Sequence, residues 1–552
     1  MKKTSIFAGA LVGALTSLPV IAISLAGAWL LGLPPVPLDL FDWLARILPG
    51  EVISFFISTM VKLIGIFHLG PTASVAKLGE QIMGLVTFAL LGAVFGTLLA
   101  LVGRRRPQKL TDDGLRGGVL LALAMALIEA SLGFKAGLLV TVIWLAVLFS
   151  VWGAVLGGLL SRPAPVTQSP AAQIPSESAS ASLTRRDFLY LGAASAAAVL
   201  VSAISLDALR KGIPITGGVP QSPTGGPASD LEATVIGKVP NPTNLPSQSA
   251  LAARFPPAPG TRPELTANDD FYRIDINTIP PDIDLASWRL ELTGLVNKPL
   301  SLSLDELRSR PAVSQALTMQ CISNPVGGDL TSTAIWTGIP FKDILAEAGL
   351  QQGVKGIYME AADGFYEFIH VADALDPRTL LVYGMNGAAL PVEHGYPLRI
   401  YIPDRYGMKM PKWITRMEAI NEERNGYWVD RGWDQEAVAK TTSVVDVVAV
   451  DTPDLKTKTI PVGGIAWAGD RGISKVEVQV DDGPWAPAEL RQPSLSPLCW
   501  VQWRYDWPSQ SGKHLFSVRA YDGTGTLQKT TSNPPEWSGA TGINSMEAVV
   551  VE

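Results

Sequence analysis

Cysteine is nearly missing from this chain: Cys321 and Cys499 are the two examples in 552 residues. That scarcity excludes a disulfide scaffold, and it excludes an iron–sulfur cluster held by the chain's own thiolates. No Cys-x-x-Cys-His occurs, which excludes covalently attached c-type haem. Histidine is scarce too, with four in all. His68 is the lone histidine before residue 212, so a bis-His haem built there by this chain alone is not expected. Positive charge runs short only in the second part. Residues 1–212 carry 16 Lys+Arg against 10 Asp+Glu, net +6, and the remainder carries 28 against 40, net -12. An acidic soluble part lacks the basic stripe that nucleic acid requires, so no nucleic-acid partner is expected.

What is present is a strongly apolar first part. Apolar runs near 6–32, 82–103, 117–133 and 137–160 approach the length that crosses a bilayer. A further run, 52–69, carries Lys62 at its middle, where a charge costs about 2.5–3.5 kcal/mol. Lys2 and Lys3 set the N-terminus in the cytoplasm, and Arg104-Arg105-Arg106 with Lys109 want the same side. Two spans between those basic groups satisfy the rule and three violate it. The spacing therefore predicts that 52–69 is an interfacial or re-entrant helix on the outer side.

Composition then divides the chain further. We expect a multi-span membrane region over 1–162 and a Pro/Ser/Ala linker over 163–183. Thr184-Arg185-Arg186-Asp187-Phe188-Leu189 and the Ala-rich run after it resemble a twin-arginine export signal over 184–210, although an ordinary transmembrane helix with a positive flank would look alike. A Pro/Gly-rich tether fills 211–265. An α/β (α+β) domain over 266–440 opens with the alternating Trp288-to-Gly294 and a capped helix start at Ser303-Leu304-Asp305-Glu306. Over 441–552, Val476, Val478 and Val480 alternate with polar residues, as do Phe516, Val518 and Ala520, each run ending in an Asp-Gly turn. That spacing predicts an immunoglobulin-like β-sandwich.

Cys321 follows an apolar stretch and opens the Gly-rich turn Ile322-Ser323-Asn324-Pro325-Val326-Gly327-Gly328, where chemistry can reach it. A soft thiolate suits molybdenum, copper or zinc, while a buried hydrophobe or half of a disulfide with Cys499 fits the same composition.

Read together, these landmarks resemble the sulfite oxidase family of molybdenum enzymes over roughly 266–552. Asn268-Asp269-Asp270-Phe271-Tyr272-Arg273 is similar to the family's opening segment, and Cys321-Ile322-Ser323-Asn324 to its Cys-x-x-Asn turn. His394-Gly395-Tyr396-Pro397-Leu398-Arg399 and Lys412-Trp413 resemble the segments that hold the pterin. The second domain, with Gly463-Gly464-Ile465-Ala466-Trp467, fits the family's dimerisation-type sandwich. The resemblance implies a molybdenum–molybdopterin cofactor (Mo-MPT), with Cys321 as metal ligand and catalytic thiolate. It implies cofactor-binding roles for Asn324, which shapes the turn, and for His394, Arg399, Lys409 and Lys412. Arg273 is then a candidate anion contact, while Trp433, with Arg431 just before it, falls where relatives place a tyrosine near the metal.

Pro325 and Val326 stand where sulfite-oxidising members carry arginines, which shifts the expected substrate toward a neutral sulfoxide or N-oxide. Methionine-sulfoxide reductases of the same superfamily run the fold in that direction. The implied function is a membrane-anchored, extracytoplasmic, multi-pass oxidoreductase performing two-electron oxo transfer on a small molecule. It would contact membrane lipid and draw electrons from a separate cytochrome or quinone-linked protein, and a homodimer follows from the family. A non-catalytic membrane receptor or scaffold with a degenerate molybdopterin domain is the alternative. A cysteine hydrolase pairing Cys321 with His370 or His394 is a third reading.

Overall fold

Long apolar helices form the first of two units in this computed structural model, which describes residues 5–67, 69–134, 136–161, 185–210, 255–454 and 456–551. The linker expected over 163–183 and the stretch 211–254 of the tether lie outside the described residues. The first unit comprises Met1–Leu48, Ala76–Gln221 and Ile276–Asp282; the second comprises Pro49–Val75, Ser222–Asp275 and Ile283–Glu552.

In the first unit the helices are α1 (Ile6–Leu31), α2 (Val36–Ile47), most of α4 (Thr72–Gly103), α5 (Leu110–Leu132), α6 (Leu138–Ser161) and α7 (Arg185–Arg210). α3 (Gly50–Phe67) belongs to the second unit. Among the described residues, five helices are long and apolar enough to cross a membrane: α1, α4, α5, α6 and residues Gly192–Leu209 of α7. The pair Val36–Ile47 and Gly50–Ile64, bent by 120°, makes a sixth only if it counts as one broken span. α1 stops because Gly32 turns left-handed at φ 64°, and Pro34-Pro35 cannot continue a helix.

Small residues set how these helices pack. Gly9 and Gly13 of α1 face Gly96 and Gly92 of α4 so closely that a Cβ at any of the four would overlap the opposite backbone or a side chain packed there. Gly114 of α5 meets Gly153 of α6 in the same way. Such small-xxx-small seams let backbones approach where lipid offers no hydrophobic drive. Phe88, Phe95, Phe149 and Trp152 fill the centre, Phe88 and Trp152 stacking at 5.6 Å. Trp152 Nε1 donates to Thr16 Oγ1 at 3.1 Å. The segment Ile276–Asp282 is bound into this bundle by polar contacts. Lys77 Nζ donates to Asn277 O at 2.7 Å, and Thr278 N donates to Asp42 Oδ1 at 3.1 Å.

The second unit holds one mixed sheet, one antiparallel sheet and a sandwich. One sheet runs in the order β2 (Leu300–Leu302), β1 (Leu290–Gly294), β10 (Ile414–Ile420), β5 (Gly356–Ala361), β6 (Tyr366–His370), with β1 and β10 parallel. The other runs β3 (Val313–Gln320), β4 (Thr331–Pro340), β7 (Leu380–Met385), β8 (Ala388–Ala389), and β9 (Arg399–Tyr401) also pairs with β7. The expected alternation of the first strand holds: Leu290 and Leu292 are fully buried. Ser303 caps its helix with the reciprocal bonds of a capping box to Glu306, which satisfies two free backbone donors at once.

Beyond residue 441 two antiparallel sheets enclose one core. The first has the order β11 (Thr442–Val448), β12 (Thr459–Trp467), β16 (Val501–Pro508), β15 (Glu489–Leu490). The second runs β14 (Ala486–Pro487), β13 (Ile473–Val480), β17 (Gly512–Asp522), β18 (Asn544–Val550). Val476, Val478, Phe516, Val518 and Ala520 point into that core, the faces their alternation predicts.

Candidate cofactor site

Cys321 leaves the end of β3 at a turn that returns into β4. Its N–H donates to Leu330 O at 2.9 Å, and Asn324 Oδ1 accepts from Leu330 N at 2.9 Å. The asparagine thus holds the turn beneath the thiol, and a Cβ at Gly328 would overlap Asn324 Oδ1. Cys321 Sγ lies 3.0 Å from Ser323 Oγ. Burial pushes the thiol pKa up, against the opposing hydrogen bonds of Ser323. Cys321 and Cys499 are both free and buried, and they sit in separate apolar clusters. No disulfide joins them.

Ala73, Cys321 and Leu330 form one small buried cluster with Tyr272 packed against it. Tyr272 had no role in the sequence reading, yet its hydroxyl lies where a Cβ at Gly407 would touch it, at 2.8 Å. Burial, then the neighbouring Cys321, raises the phenol's pKa well above its ordinary value, so it stays protonated. The signal was present in Tyr272's place beside Arg273, but a tyrosine was expected after Lys412-Trp413.

Around this cluster stand three basic side chains, Arg399, Lys412 and Arg273. Arg399, at the start of β9, is buried; its Nη1 donates to His394 O at 3.0 Å and its guanidinium lies over Trp336 at 5.0 Å. Among the described residues no carboxylate pairs with it, and its Nε has no hydrogen-bond partner. Burial alone pulls its pKa down to about 10. Lys412 Nζ donates to Asp275 Oδ2 and Glu393 O, both at 2.9 Å, and burial holds its pKa down at about 8. Arg273 Nε also donates to Asp275 Oδ2, at 2.8 Å. Lys412 and Arg273 thus meet at the Asp275 carboxylate, while Arg399 has no carboxylate partner among the described residues. His394 Nε2 bonds to Asn268 O at 3.1 Å, and its pKa falls to about 3 through burial and then the positive charge of Lys412 and Arg399.

These residues fit an anionic cofactor. A buried, uncompensated guanidinium is costly in a protein interior, and a phosphate answers it with charge and paired acceptors. Gln320 Oε1 and Thr331 Oγ1, flanking the Cys321 turn, are buried without a hydrogen-bond partner among the described residues. No group of three His, Cys, Asp or Glu could hold a metal among the described residues. A metal here would take its remaining ligands from the cofactor.

The other sequence candidates fall elsewhere. Lys409 Nζ makes a buried ion pair with Glu367 Oε1 at 2.6 Å, so its charge is already matched. Arg431 Nη1 donates to Tyr427 O at 2.8 Å and stacks over the Tyr427 ring at 3.5 Å. Trp433 is buried with Ile322, Tyr406 and Met408, and its Nε1 donates to Ser54 Oγ at 3.3 Å. His370 bonds to Glu436 at 3.0 Å. With His394 on Asn268 and Cys321 on Ser323, the dyad a cysteine hydrolase needs is not assembled.

Known proteins point the same way. Residues 277–428 match the oxidoreductase molybdopterin binding domain, residues 433–540 the Mo-co oxidoreductase dimerisation domain, and residues 175–205 the ubiquitinol-cytochrome C reductase Fe-S subunit TAT signal. A protein of Azospira oryzae named as a protein-methionine-sulfoxide reductase subunit, YedZ1, is 34% identical over 152 residues, 28% of this chain and 56% of that protein. Rat mitochondrial sulfite oxidase is 29% identical over 338 residues, covering 52% of this chain and 61% of its own length. An NADH nitrate reductase of Volvox carteri is 27% identical over 285 residues, 41% of this chain and 33% of its own. This chain thus spans 56% and 61% of the first two. With both molybdenum domains in order behind an apolar helical region, the chain is similar over residues 277–540 to the sulfite oxidase family of molybdopterin oxidoreductases.

Proposed function

We propose that this protein is a membrane-anchored, extracytoplasmic molybdenum oxidoreductase that moves one oxygen atom to or from a small molecule with two electrons. The observation that carries this reading is the buried guanidinium of Arg399, which no carboxylate answers among the described residues, in the same domain as the free thiol of Cys321. Bound there, the molybdenum cofactor would supply two-electron oxo exchange. Cys321 would ligate the metal, and Arg399 and Lys412 would hold the pterin phosphate, with Arg399 suited to bind it through two parallel bonds. His394, kept neutral, would orient the pterin by hydrogen bonding. Tyr272 keeps its proton and can donate a hydrogen bond or proton to a departing oxygen.

Reduction of a neutral S- or N-oxide is the favoured direction. The substrate gains two electrons and two protons and leaves as sulfide or amine plus water. Asp275 already engages Arg273, and Pro325 and Val326 bring no cation to the turn, so little remains to hold a dianion. Sulfite oxidation is the second reading, because the rat relative carries that name. Nitrate reductase among the relatives shows that shared family does not fix substrate. A homodimer through 433–540 and a separate cytochrome or quinone-linked electron donor complete the proposal.

Sidedness rests on charge and on grouping. The TAT-signal match supports export of a folded, cofactor-loaded domain. Metal analysis of the purified full-length chain should give about one molybdenum per protein, lost in Cys321→Ser, with dimethyl sulfoxide and trimethylamine N-oxide turned over faster than sulfite. Full activity in metal-free protein would sink the proposal.

A further inference from the structure

A stretch of sequence bracketed by candidate membrane helices takes part in the cofactor domain. Pro49–Val75 groups with the second unit, and it touches that unit at four places. Gly50 lies so close to Arg431 that a Cβ there would collide with the Arg431 backbone. Ser54 Oγ accepts from Trp433 Nε1 at 3.3 Å. Thr72 N donates to the Asp329 carboxylate at 2.8 Å, and Ala73 joins Cys321 and Leu330 in one buried cluster. The first two contacts meet the residues aligned with the family's metal-proximal tyrosine. The last two meet the turn that carries the thiol. The segment is therefore pinned at both ends.

We propose that Thr72 and Ala73 form a wall of the substrate pocket, and that this wall admits a small uncharged S- or N-oxide but not an oxidised side chain in a folded protein. The inference rests on the oxo-transfer reading above and adds a size limit to it. The wall's inner surface is apolar: Ala73 presents a methyl group, Leu330 and Tyr272 flank it, and the Asp329 carboxylate is turned to the Thr72 backbone. A charged substrate finds no partner on that side. A folded protein would have to displace a segment held by Gly50, Ser54 and Thr72 before its side chain approached Cys321, itself only 9% exposed. Ala73 is then a specificity-determining position.

The test uses the full-length, molybdenum-loaded protein in membranes. Thr72→Cys with Asp329→Cys should form a disulfide, found as a joined peptide after digestion. Ala73→Trp should keep its molybdenum, shift the Mo(V) paramagnetic resonance spectrum, and raise KM for dimethyl sulfoxide about tenfold or more. The wall is overturned if the cysteine pair stays reduced, or if Ala73→Trp leaves spectrum and KM unchanged. The size limit is overturned if an oxidised folded protein is reduced as efficiently as dimethyl sulfoxide. If the loaded wild type turns over no oxo-transfer substrate, the functional reading falls, while cross-link and spectrum still decide the wall.

Discussion

His394 shows how a single side chain reports on the charges buried around it. Its ring is buried between an aromatic edge, Phe271 at 5.3 Å, and the cations Lys412 and Arg399, so protonation is disfavoured until about pH 3. In the unfolded chain an ordinary histidine titrates near about 6.5. The folded value lies below the unfolded one, so acid favours the unfolded state throughout the interval between them. Stability from this residue is complete above about pH 6.5 and is lost progressively as pH falls toward 3, by about 1.4 kcal/mol per pH unit. In cofactor-free protein, His394→Gln should flatten the fall of the urea midpoint between pH 6 and 4 relative to wild type. Added inorganic phosphate should also flatten it, because an anion beside the ring favours its protonated form. Identical slopes in wild type and variant would show that His394 is not held neutral by these cations.

Elements differ in how openly their sequences announce them. The strand at Ile473–Val480 and the capped helix at Leu304–Arg308 are legible because alternation and capping are local, set by neighbours within four residues. The Cys321 turn is legible for the same reason: Asn324 closes it from three positions away. What alternation and capping cannot show is pairing across long separations. Asp275 quenches Lys412 from 137 positions away, Glu367 occupies Lys409 from 42, and Thr72 binds Asp329 from 257. These pairings give Lys409 a buried carboxylate partner and set Thr72 and Ala73 beside the Cys321 turn.

Helix seams sit between the two cases, since glycines spaced by four read as close packing without naming the partner. Gly13→Leu should force α1 from α4, because its Cβ would overlap the Gly92 carbonyl, at a cost of about 1–3 kcal/mol. Its aggregation temperature in detergent should fall, while Gly158→Ala, whose Cβ would meet only Thr111 Oγ1 at 3.9 Å, should leave it unchanged. Equal loss in both would place the seam elsewhere.

At the scale of the whole molecule, the proposed sidedness draws on two arguments that need not have agreed. By the positive-inside rule, basic residues at Lys2-Lys3, Arg104–Arg106 and Arg185-Arg186 would mark three cytoplasmic points, and the proposed orientation then puts the α1–α4 connection and everything after α7 outside. Independently, residues 49–75 group with the unit that contains the molybdenum domain, which supports the same proposed orientation. Had α2 and α3 crossed the bilayer as one broken span, Arg104–Arg106 would have fallen outside and the charge rule would fail. Phe56, 53% exposed on α3, makes a direct probe of this agreement. In intact spheroplasts an impermeant maleimide should label Phe56→Cys, and external protease should cut between residues 211 and 265. Replacing Arg185-Arg186 by Lys-Lys should abolish the protease cleavage, because a twin-arginine pathway would no longer pass the folded domain. The thiol introduced by Phe56→Cys should then still label, since α1 and α4 insert by their own hydrophobicity. Protection of that thiol with Arg185-Arg186 intact, while 211–265 is still cleaved, would separate α3 from the cofactor domain and remove the wall at Ala73 with it.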